Sequence, residues 1–126
     1  MNKRNLIAEL YWDNLQLFAE QIFPAHTTHP FSPLHLHLFH RRALKTQLPL
    51  TQRPPALEIT LAPRGAAKTT LMTLIFPLHA LLYQTERYIV ILSATQRQAT
   101  RRLENIRHEL MTNPLLRRTF PRWTKM

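Results

Sequence analysis

The order of segments between residues 56 and 93 constrains the fold of this chain more than any other feature. Residues 56–62 (ALEITLA) are a short β-rich run, and residues 87–93 (RYIVILS) are a stronger one with four consecutive apolar residues, IVIL. Between them, residues 68–84 carry a helical pattern, bent or broken near Pro77, whose missing N–H removes one ladder bond. Strand, helix and strand in so short a span predict a βαβ crossover with parallel strands. A run such as YIVIL, apolar on both faces, suits a strand covered on both sides. The expected fold class is therefore α/β.

Upstream the periodicity is helical. Leu6, Ile7, Leu10, Tyr11, Leu17, Phe18 and Ile22 recur at spacings of mostly three, four and seven, which predicts one helix over residues 4–22 with a single buried stripe. Pro24 ends it, and residues 24–33 have the His, Thr and Pro content of a loop. A second helix is expected over residues 33–45 with Pro33 in its first turn, followed by a proline-rich linker over residues 46–55. Downstream, Thr95 to Gln98 has capping-box form and opens a helix that places Ala99, Leu103, Ile106 and Leu110 on one face. Arg97, Arg101 and His108 lie opposite, with Arg102 at the edge, and Asn113 with Pro114 stops the helix. The tail LLRRTFPRWTKM is basic and aromatic without a clear period.

Charge and composition narrow the chemistry. The 126 residues hold 17 Lys and Arg against 7 Asp and Glu, a net charge of +10, which favours polyanionic partners: nucleic acid, nucleotide phosphates or an anionic membrane surface. Asp13 is the single Asp, so paired-Asp nucleases and EF-hand loops are excluded. With no Cys there is no disulfide framework, thiolate zinc site or cysteine nucleophile, which fits an intracellular, cytoplasmic setting. Glu9 and Asp13 interrupt the N-terminal segment, so it reads as an amphipathic helix and not as a signal peptide. No stretch reaches the roughly 18 apolar residues of a membrane span, so no membrane partner is expected.

The chemistry-bearing segment is APRGAAKTT, residues 62–70. A loop that leaves a predicted strand and opens a helix with Lys then Thr is the context of a phosphate-binding P-loop. Successive backbone N–H groups there form an anion nest, and the helix dipole adds partial positive charge. Lys68 would reach the β- and γ-phosphates, the hydroxyl of Thr69 would bind Mg²⁺, and Arg64 would lie beside the terminal phosphate. Two cations, Arg64 and Lys68, stand at the helix end where the dipole disfavours them, and a bound phosphate reverses that penalty. Both consensus glycines are alanine, Ala62 and Ala67, and the Cβ of Ala67 weakens close approach to phosphate. The competing reading is a basic turn that happens to contain KTT.

These segments together resemble the start of the ATPase domain of phage terminase large subunits, the DNA-packaging motors. The likeness covers residues 55–121: an APRG-x-x-K-[ST]-[ST] loop, a PLH-like segment, an apolar strand ending in Ser, and a helix leading to EL-x-x-NP. It implies an incomplete P-loop NTPase fold, a βαβ unit with its P-loop over residues 51–126, preceded by a helical lead-in over residues 1–50. Arg64, Gly65, Ala66, Ala67, Lys68, Thr69 and Thr70 would hold ATP, with Thr69 on Mg²⁺ through the nucleotide. The resemblance also implies double-stranded phage DNA as a partner, the small terminase subunit and portal as possible family partners, and a bacterial host cell as the setting.

Hydrolysis needs an acidic residue at the end of an apolar strand to hold Mg²⁺, and usually a Glu to activate water. No four-residue apolar run here ends in Asp or Glu. The expectation is therefore nucleotide binding without catalytic residues, in a piece that lacks the Walker B acid and the nuclease domain. Its rival is a small basic nucleic-acid-binding module with a degenerate loop. His26, His29, His35, His37 and His40 are dense, but a metal site needs preorganised ligands. The Arg41–Arg42, Arg101–Arg102 and Arg117–Arg118 pairs read as solvated faces that could together grip a phosphate backbone.

Overall fold

In a computed structural model, residues 3–12, 14–27, 30–46, 51–53, 70–86 and 88–121 are described. Helices follow one another: α1 (Lys3–Trp12), α2 (Leu15–Ile22), a 3₁₀ turn (Pro24–His26) and α3 (Pro33–Thr46). A π-helical turn (Leu71–Ile75) then runs directly into α4 (Phe76–Tyr83), and α5 (Gln96–Thr112) and α6 (Pro114–Thr119) complete the order. The described residues contain no strand.

The α/β expectation is therefore corrected: the described residues are all-α, and no βαβ P-loop fold is formed by them. Residues 56–62, the first expected strand, lie outside the described residues. Residues 88–93, the core of the second, carry no ladder, and Tyr88, Val90 and Leu92 are exposed. A strand is stabilised by cross-strand neighbours and by a covered face, and here the apolar surface that would cover it is engaged elsewhere.

It is engaged around the helix of residues 70–83. Leu71, Leu74, Ile75, Phe76, Leu78, His79, Ala80 and Leu82 are all buried, so this helix is apolar nearly all round and lies inside the molecule. Tyr11 of α1, Leu15, Phe18 and Ile22 of α2 with Phe23 just after it, Leu38 and Phe39 of α3, and Leu116 and Phe120 at α6 close over it in one core cluster. Aromatic rings meet edge to face throughout, as Phe18 with Phe23 and Phe39 with Phe76 do. The expected bend near Pro77 takes a specific form. Proline cannot donate to the carbonyl four residues back and its ring crowds that carbonyl, and the backbone upstream widens so that Phe76 N–H reaches the Leu71 carbonyl instead.

Other boundaries differ from the periodicity for local reasons. The single helix expected over residues 4–22 is two, because Asn14 caps a new start: its side chain accepts from Leu17 N–H at 3.1 Å. Tyr11, Phe18 and Ile22 of the expected stripe are buried, whereas Leu10 is exposed. Pro24 does end α2, and Pro33 does open α3. Thr95 caps α5, accepting from Gln98 N–H at 3.2 Å. The expected apolar face of α5 is only half covered: Ala99, Ile106 and Leu110 are partly buried, and Leu103 is exposed. The tail without a period contains α6, which seats Leu116 and Phe120 in the core.

Candidate functional site

Of the loop residues expected to hold nucleotide, Arg64, Gly65, Ala66, Ala67, Lys68 and Thr69 lie outside the described residues, as does the metal role given to Thr69. Thr70 is described: it is helical and half-buried, with φ −60° and ψ −45°. Leu71 beside it is fully packed, with Leu74 and Ile75 behind. The helical residues that follow the expected loop are thus fixed in the core. Helix α5 packs against the π-helical turn at that same end. Arg97 and Arg101 are exposed on α5, as are Arg117 and Arg118 on α6.

Three polar clusters sit elsewhere, and each has a structural role. His79, on α4, is fully buried, and its Nε2 lies 2.8 Å from the Tyr11 carbonyl. The ring packs on Tyr83 at 4.6 Å between centroids, on Phe18 at 5.1 Å and on Trp12 at 6.5 Å. Burial, with a smaller contribution from the nearby Arg42 guanidinium, lowers its pKa to about 4 against the opposing hydrogen bond to Tyr11. A neutral histidine on this packed face serves to satisfy the end of α1. Tyr83 does the same with its hydroxyl, which donates to the Ala8 carbonyl. Ala8, Glu9, Trp12 and Tyr83 line a shallow groove above these rings.

The second cluster is Glu86 between two arginines: Arg53 Nη1 lies 2.6 Å and Arg42 Nη2 3.6 Å from Glu86 Oε1. Arg53 also donates to the Thr85 carbonyl at 3.3 Å. Arg42 is thus turned inward, unlike its expected solvated face. The third is a junction. Asn113 donates to the Ile22 carbonyl and to Glu109 Oε2, each at 2.8 Å, while its Oδ1 accepts from Leu115 and Leu116 N–H. Glu109 Oε1 holds His26 Nε2 at 3.1 Å.

The described histidines are dispersed, and His29 lies outside the described residues. His26 is in that junction, His35 Nδ1 accepts from Ser32 N–H at 3.0 Å, and His37 and His40 are exposed on α3. No group of three potential metal ligands exists among the described residues. Sequence reasoning passed over His79 and Asn113 as site-forming residues. A lone His in an all-apolar helical run, and an Asn-Pro pair four residues after a Glu, are the signals that mark them. No helix among the described residues is long and apolar enough to cross a membrane. No family model, curated protein or solved structure matches the chain.

Proposed function

We propose that this chain binds a nucleotide through residues 62–70, as part of a phage terminase-like DNA-packaging ATPase, and that residues 1–126 supply no hydrolytic acid. The carrying observation is that the chain is already helical at Thr70, just after Lys68 and Thr69, and is seated in the core from Leu71 onward. A helix start near Lys68 would leave N–H groups without intrahelical partners and present partial positive charge, and the seated residues downstream would hold both in place. The donor set fits the phosphates of Mg-ATP: two cations, a Thr hydroxyl and backbone N–H groups are what such a ligand takes. Ala67 fits less well, and binding is expected to be weak. The ordered sequence likeness over residues 55–121 adds the packaging context, with double-stranded DNA as the polymer acted on.

The test is titration of a fluorescent ATP analogue with Mg²⁺ into the wild-type chain and the Lys68→Ala variant. Binding at least tenfold weaker in the variant, with unchanged helical circular dichroism, is the expected result. Equal binding, or none in either, removes the reading.

One observation favours the rival reading of a basic nucleic-acid-binding module. Helix α5 has no buried residue and exposes Arg97 and Arg101, and α6 adds Arg117 and Arg118. Such a surface binds phosphate backbones without sequence preference and with strong salt dependence. Duplex DNA binding that weakens steeply with salt and is indifferent to Lys68→Ala, together with no nucleotide binding, selects it.

A further inference from the structure

Residues 88–92 lie between the end of α4 and the start of α5, and they make no backbone hydrogen bond to the described residues. Their burial alternates along the chain. Tyr88, Val90 and Leu92 are 85%, 56% and 88% exposed, whereas Ile89 is 39% exposed and Ile91 is half-buried. A period of two is what a strand shows when one face rests on the molecule and the other meets solvent. The run Tyr-Ile-Val-Ile-Leu has no charge and no Pro to blunt its edge.

The run is also nearly the same read in either direction about Val90. Two copies laid antiparallel with Val90 opposite Val90 set Ile89 against Ile91 and Tyr88 against Leu92. Like faces then share one side of the ribbon, and the aromatic ring of each copy meets an aliphatic partner. This is the self-complementarity that a two-fold interface requires. We propose that residues 88–92 are a strand edge by which two copies of the chain pair antiparallel about a two-fold axis at Val90. The interface is independent of the nucleotide reading. Because each copy carries +10, the copies repel one another, so pairing is weak at low ionic strength and strengthens as salt screens the charge. That dependence is opposite in sign to polyanion binding.

The chain has no cysteine, which makes the register directly testable. Directly opposed residues of an antiparallel pair have Cα atoms about 4.5–5.5 Å apart, inside the range that a disulfide spans. Under mild oxidation the Val90→Cys variant should form a covalent dimer. Tyr88→Cys and Leu92→Cys alone should crosslink at least tenfold more slowly, because each thiol then faces position 92 or 88 of the other copy. A mixture of those two variants should crosslink again. Sedimentation of the wild-type chain should show a dimer fraction that rises with sodium chloride, and Val90→Pro should abolish it with helicity unchanged. A monomer at every salt concentration, or equal crosslinking at positions 88, 90 and 92, overturns the proposal. So does a monomeric Val90→Cys variant whose thiol resists alkylation, since another segment then covers the edge.

Discussion

Gln84 has φ 55°, the one positive value among the described non-glycine residues. It ends the helix of residues 70–83 in a Schellman arrangement, with Gln84 N–H reaching the Leu81 carbonyl and Thr85 N–H reaching the Ala80 carbonyl. Glycine usually fills this position, because a Cβ in the left-handed region costs roughly 1–2 kcal/mol. The chain has one glycine, and it stands at position 65. Gln84→Gly is therefore expected to raise stability by about 0.5–1 kcal/mol after the added freedom of the unfolded chain is discounted. A shift of the urea midpoint upward at constant slope would show it; no shift would mean that the Gln84 side chain recovers the backbone cost. At this scale the sequence is legible where a residue type permits few conformations. Pro24, Pro33 and Thr95 sit at the boundaries their chemistry predicts. Gln84 is opaque, because nothing in its side chain favours a left-handed backbone.

At the scale of elements, the misreading of a βαβ unit has a physical origin. The all-apolar helix of residues 70–83 and the apolar run of residues 88–92 both need covering, and local sequence does not say which one the other helices cover. Packing of α1, α2, α3 and α6 around the helix decides it, and those contacts are distant in sequence. Fold class was therefore illegible, whereas most helix positions were legible from their period and caps. The candidate loop was chosen by residue type and order and, apart from Thr70, lies outside the described residues, while the joints between the described helices are single residues of ordinary type. Asn113 is the clearest. It caps α6 through two N–H groups and ties α5 to the last carbonyl of α2. Asn113→Ala is expected to cost about 2–3 kcal/mol, the loss of a cap plus an unpaired carbonyl at Ile22. Asn113→Asp separates the two parts: it keeps the acceptor for the cap but cannot donate to Ile22, and it places a second negative charge beside Glu109. Its destabilisation should remain substantial in chemical denaturation. A neutral Asn113→Asp would mean that the cap alone matters.

For the whole molecule, the ring of His79 joins α1, α2 and α4, so its protonation state is a property of the entire core. In the folded chain its pKa is pushed down to about 4, against an ordinary value of 6.5. Below pH 6.5 the unfolded chain takes up a proton that the folded chain refuses. Stability contributed by the neutral ring is thus fully present above that pH and is lost as pH falls toward 4, with a limiting slope of about 1.4 kcal/mol per pH unit. The total approaches ~3 kcal/mol, a large share of the ~5–15 kcal/mol that holds a domain of this kind. Net charge acts in the same direction, because acid removes negative charges from a chain that already carries +10. The two contributions separate by salt: added sodium chloride screens the diffuse repulsion but leaves the desolvation of one buried ring almost untouched. Urea unfolding at pH 7 and at pH 4.5, in low and high salt, should therefore show a loss of stability that persists at high salt. The same series on His79→Gln, which keeps an N–H donor for the Tyr11 carbonyl but does not titrate, should show that persistent part removed. If the variant loses stability with pH as the wild type does, the acid sensitivity lies in the distributed charge and not in the core.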